Sequence, residues 1–188
     1  MATAYVRSPI SGCITGRTQY CCGACTGGDV CSGSCGTHGT CVGWSSPVDI
    51  AGSGGLYLRV NYPTVRSIRT IVELRCCSSS CANRYRRTIK VELYAQSNAV
   101  CYIGSVMYGH VDGPLVSSNT VYNLSSSSKQ LGTVPSGSCG GCYTGPHSHM
   151  ERSGGSTSAP CCAASVSTST NIYSWTFDPT QCPTLAEP

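Results

Sequence analysis

The chain of 188 residues is long enough for one domain with a real core and appendages. Twelve basic against eight acidic residues give a formal net charge of +4, too small and too scattered a balance for nucleic-acid binding, and no apolar run approaches the ~20 residues of a membrane span. Sixteen cysteines, an even count, point to disulfides in an oxidising compartment.

The opening residues, MATAYVRSPISG, lack the apolar stretch of a leader. With so many cysteines, the expectation is a mature or engineered form of a secreted chain. Residues 18–41 hold six cysteines and six glycines with hardly an aliphatic side chain, which reads as an irregular insertion tied by disulfides. Only Cys22/Cys25 and Cys139/Cys142 have the CxxC spacing of a zinc knuckle, and they lie far apart; the doublets Cys21-Cys22, Cys76-Cys77 and Cys161-Cys162 suit disulfides better.

Strand signals then recur at 56–62, 69–76, 88–96, 100–111, 129–134 and 171–177, each short and rich in Val, Ile, Tyr and Thr, with Gly, Ser, Asn or Pro between them. In 88–96, Ile89, Val91, Leu93 and Ala95 alternate with Lys90, Glu92 and Tyr94, as in a half-buried antiparallel strand. Arg84, Arg86, Arg87 and Lys90 read as a solvated strand end. The polar stretch 125–129 follows the sequon Asn123-Leu124-Ser125, a glycosylation acceptor pattern in secreted proteins. Residues 152–188 carry three cysteines, Trp175 and Phe177, and read as an extension that folds back and is stapled. The fold class expected is all-β, mainly antiparallel, with a β-domain over 1–151, the cysteine-rich insertion at 18–41 and the stapled extension at 152–188.

The chain has four histidines, and two of them, His147 and His149, stand at an i, i+2 spacing. On a strand both project from one face. Tyr108 and His110 have the same spacing and are expected to share a face, and Asp49 precedes a glycine-rich turn. A mononuclear zinc hydrolase needs two or three protein ligands, an open water position and an acid or base nearby. The plain alternatives are a turn-capping carboxylate at Asp49 and a histidine pair without metal.

The motifs SPISGCIT (8–15), PVDIAGSGG (47–55), YGH (108–110), LGTV (131–134) and TGPHSHME (144–151), in this order, resemble the lysostaphin-type (LytM-like) zinc endopeptidases over about three quarters of the chain. CGTHGTC (35–41) is similar to the secreted animal members of that family, the leukocyte-derived chemotaxins. The resemblance implies a LytM-like peptidase β-domain with long disulfide-stapled loops. It implies Asp49 and His149 as zinc ligands, His110 and His147 as catalytic histidines, and Tyr108 as a binding residue. The position four before Asp49, where the family has its remaining ligand histidine, is Ser45, and the family's middle glycine is Pro47. His38 is the other histidine from which a third donor could come, against its plain reading as a loop residue.

Two ligands hold zinc far less well than three, so the expected zinc site is weak or absent. The leading expectation is a secreted, non-catalytic homologue that binds an extracellular protein, peptide or glycan, or assembles with itself. The alternatives are an active zinc endopeptidase that cleaves glycine-containing cross-links and a subunit of an extracellular filament or polymer.

Overall fold

The computed structural model describes residues 1–17, 20–21, 44–74, 81–139, 143, 145–157 and 165–182. Among these the strands are β1 (Ala2–Arg7), β2 (Gly12–Arg17), β3 (Tyr20–Cys21), β4 (Ser45–Ala51), β5 (Gly54–Arg59), β6 (Ser67–Leu74), β7 (Arg87–Tyr94), β8 (Tyr102–Gly109), β9 (Thr120–Asn123), β10 (Ser128–Val134), β11 (His147–Ser153), β12 (Ser156–Thr157), β13 (Ser165–Val166) and β14 (Asn171–Phe177). A single helical turn, α1 (Asn83–Arg86), precedes β7. The expectation of a mainly antiparallel all-β chain holds.

The large sheet runs β13-β2-β4-β11-β8-β7-β6-β9, with β3 on the side of β2. Every pairing in it is antiparallel. Two small sheets, β1-β14-β12 and β10-β5, complete the fold, and an isolated bridge between Val6 and Val60 joins them. One continuous core unites all three sheets. Ile14, Val48, Ile50, Ile68, Ile89, Val91, Leu93, Val106 and Met150 of the large sheet pack with Ala4, Val6, Leu56, Leu58, Leu131, Ile172, Tyr173 and Trp175 of the small ones. Alternation puts Ile89, Val91 and Leu93 on the core face of β7, as the sequence predicts.

The opposite face of β7 departs from the expected half-buried strand, because it too is covered. Glu92 is only 1% exposed and accepts from Arg69 Nε (2.5 Å) and the Tyr94 hydroxyl (2.9 Å), with Lys90 Nζ at 3.2 Å. These donors offset the cost of burying the carboxylate, whose pKa is lowered; burial itself pushes the other way. The basic cluster likewise engages its surroundings. Arg84 lies over the Tyr85 ring, Arg87 donates to the Val111 carbonyl, and Lys90 pairs with Glu92.

Residues 171–177 pair with the first strand, Ala2 opposite Phe177, and Ile172, Tyr173 and Trp175 share the core of the rest of the chain. Cys182 is bonded to Cys101 and Cys81 to Cys139, and Cys13 is also disulfide-bonded. The Cys81 bond takes Cys139 out of any CxxC unit with Cys142. Most of the insertion at 18–41, including His38, lies outside the described residues, as do Cys76, Cys77, Cys142, Cys161 and Cys162.

Candidate functional site: a histidine clamped by two carboxylates

Strand register assembles the site. His149 of β11 stands opposite Asp49 of β4 on one side and Gly109 of β8 on the other. Directly opposed residues share a sheet face, and so does Glu151, two residues along the strand from His149. Glycine at 109 gives the ring room, since a Cβ there would come within 3.1 Å of the His149 Cβ and 3.2 Å of its ring and press on His149.

The His149 ring is held at both ends. Nδ1 lies 2.7 Å from Asp49 Oδ1 and Nε2 lies 2.8 Å from Glu151 Oε1. With a carboxylate on each nitrogen, the imidazolium donates to both. Burial works against this charge, but the hydrogen bonds to Asp49 and Glu151 and their negative charges prevail and raise the His149 pKa to about 10. Glu151 is 2% exposed, and its second oxygen has no hydrogen-bond partner among the described residues.

His147 and His110 sit beside this clamp. His147 Nδ1 donates to the Gly145 carbonyl (2.8 Å), and its Nε2 stands 4.0 Å from Asp49 Oδ1. His110 Nδ1 donates to the Tyr85 carbonyl (2.6 Å). The His110 ring is 4.9 Å from those of His147 and Tyr143, and 6.1 Å from that of His149. Burial first, and the neighbouring imidazoles second, lower the His110 pKa to about 4, so it is neutral at physiological pH. His110, neutral with its Nδ1 proton on the Tyr85 carbonyl, presents an Nε2 lone pair.

Tyr143 organises the pair. Its ring stacks on His147 at 4.8 Å, its hydroxyl donates to the Pro135 carbonyl (2.6 Å), and the same oxygen accepts the His147 backbone N–H (3.1 Å). Tyr85 packs on it at 5.0 Å beside the Cys81–Cys139 disulfide.

The structure thus brings together Asp49, His110, His147 and His149. Tyr108 is elsewhere. It pairs with Ile89 and Met150 on the core face, fully buried, and its hydroxyl has no partner among the described residues. The expectation that Tyr108 and His110 share a face fails because His110 has φ 57°. Simple alternation would send His110 into the core with Tyr108; the left-handed residue turns it onto the face of His149.

Ser45 is turned as well. A register shift between Met150 and Arg152 sets Ser45 opposite Arg152, whose side chain leaves β11 on the face away from Glu151. Ser46 has φ 55° at this irregularity, and the Tyr173 hydroxyl holds it by donating to the Ser46 carbonyl (2.7 Å). Ser45 Oγ donates a long bond to the Arg152 carbonyl oxygen (3.4 Å).

Asp49 and His149 are two of the three donors that the resemblance assigns to zinc. Among the described residues no group of three His, Cys, Asp or Glu side chains is placed to hold a metal. On ligand count these residues do not by themselves fit a zinc centre. Sequence reasoning passed over Glu151, Tyr143, Tyr85 and Gly109. Extending the i, i+2 parity one step beyond His149 reaches Glu151, and the glycine inside YGH marks a close approach. Nothing local marks the two tyrosines. Comparison with protein-family models, curated proteins and solved structures finds no match to this chain.

Proposed function

We propose that the chain is a secreted homologue of the LytM-like endopeptidases in which a proton occupies the position of the metal. It works by binding an extracellular protein, peptide or glycan, or by assembly, and not by hydrolysis. The observation that carries this reading is the double clamp on His149. Both ring nitrogens are engaged by carboxylates at 2.7 and 2.8 Å, which stabilises the imidazolium without a metal. The displaced Ser45 supports it, as do the disulfides, which are consistent with an oxidising or extracellular location.

A second reading, an active zinc endopeptidase, draws on a different observation. The Nε2 lone pair of His110, beside the His147 ring, is the form a general base or hydrogen-bond acceptor requires. That reading needs a further donor from outside the described residues, for which His38 is the histidine at hand. Metal analysis of the purified chain, with a pentaglycine cleavage assay, separates the two. The expected result is zinc well below one per chain and no cleavage. Stoichiometric zinc with cleavage, both lost in His38→Ala, would establish the enzyme instead.

A further inference from the structure

We propose that Asn123 carries an N-linked glycan at the open edge of the large sheet, flanking the histidine face without covering it. Asn123 opens the sequon Asn123-Leu124-Ser125 and ends β9, the last strand of the large sheet. Asn123 and Val121 are the exposed residues of this strand, with Thr120 and Tyr122 more covered, so both project on its outward side. Leu124 then tucks against the core while Ser125 is exposed, so the two residues that the glycosylating enzyme reads lie at the surface. The disulfides Cys81–Cys139 and Cys101–Cys182 are consistent with folding in the kind of oxidising compartment where this modification occurs.

The amide is also disposed for it. Asn123 Oδ1 accepts the Asn98 backbone N–H (2.7 Å), and Nδ2 donates one hydrogen to Asn98 Oδ1 (2.9 Å). The hydrogen given up is the one cis to Oδ1, so the sugar takes the place of the bond to Asn98 Oδ1, while Oδ1 still accepts the Asn98 N–H and keeps the amide oriented. In the transfer, Nδ2 bonds to the anomeric carbon of a polyprenyl-diphosphate-linked oligosaccharide. The carbon–oxygen bond to the diphosphate breaks, the lipid diphosphate leaves with the electron pair, and the amide loses one proton to a base. Oxidation states do not change, and Asn98 keeps the bond from its N–H to Asn123 Oδ1. Val121 (40% exposed) and Val100 (46% exposed) lie near this anchor, on β9 itself and beside the turn that Asn98 belongs to, and offer apolar surface to the first sugar. Four inter-strand steps separate β9 from β11, roughly 19 Å at the usual strand spacing, so the sugar stands clear of His149.

The test is expression of the full chain behind a cleavable leader in a eukaryotic secretory host, with intact mass before and after enzymatic release of N-glycans. The expected result is one released glycan, with Asp at position 123 in the digested peptide. Ser125→Ala should abolish it and Ser125→Thr should retain it, and neither change touches the Asn98 contacts, so both variants are expected to fold and be secreted. An unmodified Asn123 in folded, secreted wild-type chain would overturn the proposal, as would a glycan that persists unchanged in Ser125→Ala.

Discussion

The proton held on His149 and the proton refused by His110 act on stability in opposite directions. His149 has its folded pKa raised to about 10. The stability it adds is fully present below the unfolded value near 6.5 and is lost as pH climbs through 10. His110 has its folded pKa lowered to about 4. Below about pH 6.5 the unfolded chain takes up a proton that the folded one refuses, so stability falls as pH drops toward 4. Each limb is on the order of 2–4 kcal/mol. Chemical denaturation at a series of pH values, with chelator present, is therefore expected to peak near neutrality. His149→Gln should flatten the alkaline limb and leave the acid one. A single side chain also tests the face assignment. Ser45→His is expected to leave zinc affinity unchanged within about threefold, because residue 45 shares the face of Arg152. Pro47→His adds a donor beside Asp49 and His149 on their face and is expected to raise affinity at least about tenfold by calorimetric titration. A large gain from Ser45→His alone would show that the bulge at Ser46 yields to the metal.

Elements fix what these residues can do, and two loop segments outside the strands carry much of the work. Tyr143 lies between Cys139 and β11, and Tyr85 lies in α1. The disulfide between Cys81 and Cys139 fastens both segments at a Cα separation of 5.9 Å. Removing the Tyr143 hydroxyl leaves the Pro135 carbonyl and the His147 N–H without their partner. Tyr143→Phe is expected to cost about 1–3 kcal/mol by denaturant titration and to broaden the His147 imidazole resonances. Reducing Cys81–Cys139 should perturb His110 and His147 together and His149 much less, since the two carboxylates that clamp His149 lie on strands. The sequence displayed the strands with dense Val, Ile and Tyr but hid others. β1 shows only Ala4 and Val6 facing inward, and β4 carries a proline that argues against a strand. β11, HSHMERS, is so polar that its histidine spacing was the readable signal. Asp49, His110, His147 and His149 were legible because motif order placed them. The positive φ of Ser46 and His110 was not, for neither position carries the glycine or asparagine that usually announces it. The error about the shared face of Tyr108 and His110 comes from extending alternation through such a residue.

Across the whole molecule, the first and last of the described strands belong to one small sheet. β1 and β14 pair along their length, and the Cys101–Cys182 bond spans 81 residues just beyond that pairing. Replacing both cysteines by serine is expected to lower stability by about 2–4 kcal/mol without freeing β14, because Tyr173 and Trp175 remain buried. Limited proteolysis of that variant should leave residues 171–177 protected, and their early release would show that the disulfide, not the packing, retains them. The pairing of first strand with last also sets an order of events at birth. Ala4 and Val6 are fully buried in the finished protein, yet the strand beside them, β14, lies far along the chain at Asn171–Phe177. At about 5–20 residues per second, β1 waits roughly 10–35 s for β14. During that interval the nascent chain shows chaperones an apolar strand with an unpaired edge, and the small sheet closes only when β14 has been synthesised.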